Sequence, residues 1–329
     1  MSWKEVVTEG EQARFEGYAR ELRELQKARA RDGLMPRALH AKPHLGAVGE
    51  LSIGEVPPQL RVAVFARPAR WPVYARFSSG SGAPQHDGVA DVRGIAIKLV
   101  GVPGRKLIPG LEDKKTQDFL FIQVPATVFA TPDEFVAFVR SFARGKALLL
   151  PRLIGELGLR RTLKVLRGLA AMPKVASMAE APFFTAAPIR FGDTAAKLAL
   201  FPLTARSGKR ARGRDGLRAD LAARLAQGPI EYSLKAQLFA DEKSTPIEDA
   251  SVEWKTPFAE LGRLTLPKQE VESPRGREIQ ELVERLSFDP WHAVEELRPL
   301  GAMMRARGPA YRESVIARQA APEPEQVIP

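Results

Sequence analysis

Residues 37–49 read Arg37-Ala38-Leu39-His40-Ala41-Lys42-Pro43-His44-Leu45-Gly46-Ala47-Val48-Gly49. The chain has four histidines, His40, His44, His86 and His292. His40 follows Arg37 by three residues and heads an apolar, glycine-spaced run. In an extended segment these two side chains point to opposite faces. A bend between them lets both reach one ligand, the guanidinium on an anionic edge and the imidazole at a reactive centre. An imidazole near its ordinary pKa can take a proton and return it. The alternative, for this segment alone, is a half-buried histidine with one hydrogen bond. His44 stands four residues from His40, but Pro43 interrupts a regular helix and no carboxylate cluster completes a metal site. His44, His86 and His292 are therefore read as structural.

Outward from this stretch, residues 10 to 31 carry mixed charge at helical spacing, with Phe15, Tyr18, Leu22 and Leu25 on a stripe. Asp32-Gly33 is expected to end that helix, and residues 1–34 to form an N-terminal helical arm. Short apolar runs at 61–67, 73–77, 94–99 and 119–124, parted by Pro and Gly, predict an antiparallel sheet or barrel. Thr131-Pro132-Asp133-Glu134 is a capping box with proline at the first helical position. Residues 152–171 predict one basic amphipathic helix, Leu159, Leu163, Leu166 and Leu169 set against Arg160, Arg161, Lys164 and Arg167. It is read as a covering helix with a solvated basic face, with a membrane-surface role as the alternative. Strand-like runs resume at 187–191, 197–201, 231–239 and 251–254, with a basic, mobile loop expected between Arg206 and Arg218. Helices are expected over 277–287 and from Pro309. In the latter, Arg307, Tyr311 and Arg318 sit four and seven residues apart, a helical spacing. The proline-containing tail 321–329 is expected to be disordered.

Composition bounds the chemistry. With 44% apolar residues a substantial core can form, and the absence of cysteine removes disulfides, thiolate nucleophiles and iron–sulfur sites. No signal peptide or spanning stretch is visible, so a cytoplasmic soluble protein is expected. The net charge of +11 admits nucleic acid, an anionic membrane or an anionic cofactor inside a solvated basic surface. No specific nucleic-acid partner is expected.

The collinear order of several segments resembles the haem catalase family, in its short catalase-like branch, over residues 35 to 320. Arg37-x-x-His40-Ala41-Lys42 with Gly46-Ala47-Val48-Gly49 is similar to the family's distal-histidine segment. Arg76-Phe77-Ser78 resembles its R-F-S strand. Asp91-Val92-Arg93-Gly94-Ile95-Ala96-Ile97-Lys98 resembles its D-x-R-G-x-A-x-K strand, and Phe288-Asp289-Pro290 its F-D-P signature. Arg307-Gly308-Pro309-Ala310-Tyr311 fits its R-x-x-x-Y ligand motif.

The resemblance implies an α+β fold, a catalase-type antiparallel β-barrel with flanking helices, and haem b buried between barrel and C-terminal helix. Tyr311 would ligate the iron, assisted by Arg307. Arg37, Arg76 and Arg318 would pair with the propionates, His40 would act on peroxide with Ser78 bonded to it, and Leu39 and Phe129 would line the haem. The implied activity is reduction of hydrogen peroxide or an organic hydroperoxide through a ferryl intermediate, with an organic electron donor as a further partner. Fatty-acid hydroperoxide processing like that of allene oxide synthases, and haem binding without catalysis, are the alternatives. The family's distal asparagine has no counterpart in a gapless match, which puts Lys115 at that place and leaves Thr116 or Gln117 as shifted substitutes. The chain is shorter than typical catalases, so their tetramer and bound NADPH are not carried over and a homo-oligomer is left open.

Overall fold

The computed structural model describes residues 3–31, 35–204 and 211–328. Its strands are β1 (Lys42–Ile53), β2 (Ala69–Ser79), β3 (Arg93–Val100), β4 (Thr116–Ile122), β5 (Phe183–Phe184), β6 (Ile189–Phe191), β7 (Thr194–Pro202), β8 (Ile230–Leu238) and β9 (Phe258–Leu266). They pair antiparallel in the order β4-β3-β2-β1-β9-β8-β7, and β5 bridges β7 back to β4. The result is a closed eight-stranded barrel, with β6 paired to the start of β7. Closure leaves no long free edge.

Alternation sorts the side chains. Val73, Ala75 and Phe77 of β2, Ile95, Ile97 and Leu99 of β3, and Phe119 and Phe121 of β4 fill the barrel core. The intervening residues face outward. Ser78, Gly94 and Ile122 share one rung of that outer face, and Tyr74, Lys98 and Asp118 share another. The two rungs lie four residues apart, about 13 Å along the strands.

Helices α1 (Glu11–Lys27), α2 (Pro132–Ala143), α3 (Leu149–Leu157), α4 (Leu159–Ala170), α5 (Gly216–Gln227), α6 (Pro274–Arg285) and α7 (Ala302–Arg318) surround the barrel. The predicted cap of α2 forms: Glu134 N donates to Thr131 Oγ1 at 3.4 Å, while Ala130 N donates to Glu134 Oε2 at 2.7 Å. Helix α6 lies on β1, where a Cβ at Gly46 would come within 2.8 Å of Val283. Helix α1 packs along α7. There Arg305 meets three carboxylates, Glu11 at 2.6 Å, Glu5 at 2.7 Å and Glu248 at 3.1 Å. Burial works against the Arg305 charge, and the hydrogen bonds that Arg305 donates to Glu11 and Glu248 more than offset it. Among the described residues no helix is long and apolar enough to cross a membrane.

Several local expectations are corrected. Residues 61–67 are not a strand. A 3-10 turn at Ala63–Phe65, entered at Ala63 with φ 45°, seats Val64 and Phe65 in the core instead. Residues 251–254 are turn and loop, placing Trp254 in a small side core, and the strand follows as β9. The single helix expected over 152–171 is split in two at Gly158, whose φ of 75° suits glycine. Helix α7 begins before Pro309 and carries that proline internally. Asp32-Gly33 lies outside the described residues, as do 205–210 of the basic loop, while Arg218 belongs to α5.

The tail expected to be disordered from Ala321 is instead docked on the barrel. Ala321 N donates to Arg285 O at 2.9 Å, and Ile328 N donates to Tyr74 Oη at 2.9 Å. Between them Glu323 is buried against Lys98 Nζ at 2.6 Å. Thr116 Oγ1 and Ser287 Oγ donate to it at 2.8 and 2.7 Å, and His292 Nδ1 lies 3.2 Å away. A buried ammonium needs an anion, and the tail supplies one that its composition does not advertise.

Candidate functional site

His40 precedes β1 in a left-handed conformation, φ 53°, which a non-glycine residue adopts only when its surroundings impose it. Three bonds impose it here. His40 N donates to Gly80 O at 2.9 Å, Arg76 Nη2 donates to His40 O at 3.0 Å, and Nδ1 lies 2.9 Å from Ser78 Oγ. The ring rests against β3 at Gly94, where a Cβ would come within 2.8 Å of Cε1. Glycine there gives the imidazole its seat. Burial, followed by the charges of Arg76, Arg307 and Arg37, pushes the His40 pKa down to about 3. The residue as a whole is only half-buried.

Across the chain, Arg307 Nη2 donates to Tyr311 Oη at 2.8 Å, one turn along α7. The guanidinium also sits 5.1 Å from the centre of the Tyr311 ring. The Arg307 charge depresses His40, and the Tyr311 oxygen acts on Arg37. The early imidazole and the late phenol therefore share one electrostatic neighbourhood.

A cluster of arginines completes it. Arg76 grips Glu284 with Nε at 2.8 Å and Nη2 at 3.1 Å. Arg37 donates to the carbonyls of Glu284 and Leu286 at 3.0 and 2.8 Å, and Arg318 donates to the same two at 3.3 Å each. The Nε atoms of Arg37 and Arg318 are buried with no hydrogen-bond partner. Burial, and then the neighbouring Arg76, holds the Arg37 pKa well below its ordinary range. Burial is also the chief reason Arg318 falls to about 10. For Glu284, burial opposes ionisation, but Arg76 and Arg37 prevail and its carboxyl lies below the ordinary value. One carboxylate against three guanidiniums leaves two positive charges uncompensated. A dianionic ligand fits this set. The Arg76 fork is engaged by Glu284 and by the His40 carbonyl.

The remaining expected residues are also placed. Leu39 is half-buried beside His40. Phe129 is buried against α2, its ring 5.5 Å from Phe135 and 5.3 Å from Phe138. The expectation for Lys115, Thr116 and Gln117 is corrected. Thr116 pairs with Val100, six rungs from the Gly94–Ile122 rung that seats His40. Thr116 and Gln117 are buried in contacts with His292, Glu323 and Val294, and Lys115 is exposed. The residue opposite Gly94 is Ile122, and the amide of the following Gln123 is bonded to Arg93 N, Asp91 O and Pro173 O.

His44 and His292 are buried structural groups, bonded to Ser79 and Thr116, and His86 caps a surface turn. Among the described residues no metal-holding cluster of His, Asp and Glu exists. Two open surface hollows of about 550 and 530 Å³ lie elsewhere, around Arg70 and Arg263 and around Arg105 and Lys115. Neither is lined by His40, Tyr311 or their arginines. Glu284 and Gln123 are not recognisable from local sequence. Glu284 looks like any charge on an amphipathic helix, and only an amide at the end of an apolar strand hints at Gln123.

The closed barrel and its flanking helices are also found in solved catalases. The structure superposes on a fungal catalase with a TM-score of 0.68 at 18% identity, covering 89% of this chain and 61% of that one. A bacterial catalase gives 0.64 at 19% identity, covering 91% and 60%. Catalase A from Saccharomyces cerevisiae gives 0.66 at 14%, covering 88% and 62%. The chain thus has the catalase fold and spans about three-fifths of the length of these catalases. In sequence it is 28% identical over 303 residues to the catalase-related peroxidase of Mycolicibacterium paratuberculosis (strain ATCC BAA-968 / K-10), covering 85% of this chain and 88% of that one. No family model matches it. The chain is thus similar to catalases in fold and to a catalase-related peroxidase in sequence.

Proposed function

We propose that this chain is a haem-dependent oxidoreductase of the catalase and peroxidase type, acting on hydrogen peroxide or an organic hydroperoxide. The observation that carries the reading is a neutral imidazole held by Ser78 and a phenol bonded to Arg307, both within the field of the same guanidiniums. Haem b, when bound, supplies the iron redox chemistry that cleaves a peroxide O–O bond. Tyr311 would hold the iron, with Arg307 donating to its oxygen at 2.8 Å. Arg37 and Arg318, whose Nε atoms make no hydrogen bond although Arg37 Nε lies 3.5 Å from Glu284, would pair with the propionates.

With its hydrogen on Nδ1, His40 donates to Ser78 Oγ and keeps a lone pair on Nε2. That nitrogen takes the peroxide proton and returns it to the leaving oxygen, help typically worth ~10²–10⁴-fold. A pKa near 3 keeps the resting ring neutral and makes its protonated form a strong donor. Arg76 is a positioning residue, tying the His40 backbone to Glu284. Ile122 lies opposite Gly94, while Gln117 and Thr116, the places the resemblance leaves for a distal amide, lie five and six rungs away. This favours an organic hydroperoxide over hydrogen peroxide as the better substrate.

Protein made with haem supplementation should show a Soret band that Tyr311→Phe loses. Side-by-side turnover of hydrogen peroxide and a fatty-acid hydroperoxide should exceed free haemin, and His40→Ala should lower it about 10²–10⁴-fold. A colourless wild type, or full activity in His40→Ala, would overturn the proposal. Haem uptake without turnover would select the binding-only reading.

A further inference from the structure

Among the described residues, five of the eleven exposed large apolar side chains fall between positions 142 and 163. They are Phe142, Leu148, Leu150, Leu159 and Leu163, the last two 56% and 40% exposed. This corrects the expectation that all four leucines of the basic helix face inward. Helix α4 buries Thr162 and Val165 and turns Leu159 and Leu163 outward, beside exposed Arg160, Lys164 and Arg167. Residues 142–170 carry seven basic side chains and one acidic, Glu156. Glu156 already bonds to Arg140. Among the described residues Arg160, Lys164 and Arg167 have no ion-pair partner. Helix α3 packs against both α2 and α4, so these elements form one lobe.

We propose that the outer face of α3 and α4 docks on a lipid surface rich in anionic headgroups. The leucines would enter the headgroup boundary while the arginines and lysine meet phosphates. Charge decides among the occupants. A second copy would bring another strongly basic face against this one, which repels. A nucleic acid would match the charge but gain nothing from outward leucines, which are costly to leave in water. An anionic bilayer uses both. The proposal is independent of the haem reading.

The test is flotation of the full chain with vesicles of phosphatidylcholine alone or mixed with phosphatidylglycerol, at physiological salt. Wild type should float only with the anionic vesicles. Arg160→Ala with Lys164→Ala should weaken binding about 25-fold, at about 5-fold per basic residue near the surface. Leu159→Glu with Leu163→Glu should weaken it more than about tenfold, with an unchanged circular dichroism spectrum as the check on folding. No flotation of wild type would overturn the proposal, as would binding that the leucine variant retains. A wild-type dimer that the leucine variant converts to monomer, or DNA retention at that salt unaffected by the leucines, would overturn it too.

Discussion

Replacing Glu323 by glutamine tests whether the tail is a structural part of the barrel. The carboxylate is buried against Lys98, bonded by Thr116 and Ser287, and close to His292. Breaking a buried pair from one side costs about 3–5 kcal/mol. Two features reduce that here. Glutamine keeps the shape and one acceptor oxygen, enough for one of the two hydroxyls in place. Asp118 also remains bonded to Lys98 at 2.7 and 2.9 Å. Its pKa, raised to about 6 chiefly by burial and in part by Glu323, falls when the neighbouring charge goes, so Asp118 compensates Lys98 more fully. The expected loss is about 2–3 kcal/mol at pH 7. Burial opposes ionisation of Glu323, but Lys98 and His292 hold its carboxyl far below the ordinary 4.5. A depressed carboxyl contributes stability above its unfolded value and loses it as pH falls through the folded one. The gap between variant and wild type should therefore be full at pH 7 and shrink below pH 4.5. Urea unfolding followed by tryptophan fluorescence measures it. A variant within about 0.5 kcal/mol of wild type at pH 7 would refute the docked tail.

Gly94→Ala should leave the fold intact but displace the His40 ring, lowering peroxide turnover by about 10²-fold, with haem uptake as the readout that must not change. For the rate profile, a His40 pKa near 3 predicts no limb near 6.5. A steep rise in rate between pH 6 and 7 that persists in Ser78→Ala but vanishes in His40→Ala would contradict this. Asp289→Asn should be neutral or stabilising at pH 7. Burial raises the Asp289 pKa to about 6, so its ionised form is disfavoured in the fold and the penalty grows as pH rises from its ordinary 3.8 through 6. Denaturation at pH 4, where the Asp289 carboxyl is protonated in the fold, should show most of the difference gone.

The elements with strong patterns were legible in the sequence. Strands β2, β3 and β4 announce themselves by β-branched and aromatic runs, and α2 by its capping box. The residues of the candidate site were found because short motifs carry them. What escaped depends on distant partners. Glu284 meets Arg76 across 208 positions, and Glu323 meets Lys98 across 225. No local window shows such a pairing, and the prolines around Glu323 argued for disorder. Strand β9 was hidden because Glu260 and Arg263 interrupt its apolar run and Gly262 weakens it. Residues 61–67 misled in the opposite sense, with strand-like composition on a backbone that turns.

The clamp on Arg305 fixes more than a helix contact. Rotating or sliding α7 would pull a guanidinium away from Glu5, Glu11 and Glu248 at once. The bearing of Tyr311, six positions further on, is therefore set by carboxylates at the opposite end of the polypeptide. Trimming the first ten residues would strip one of those anchors, so a shortened protein should lose orientation of the phenol before it loses the barrel.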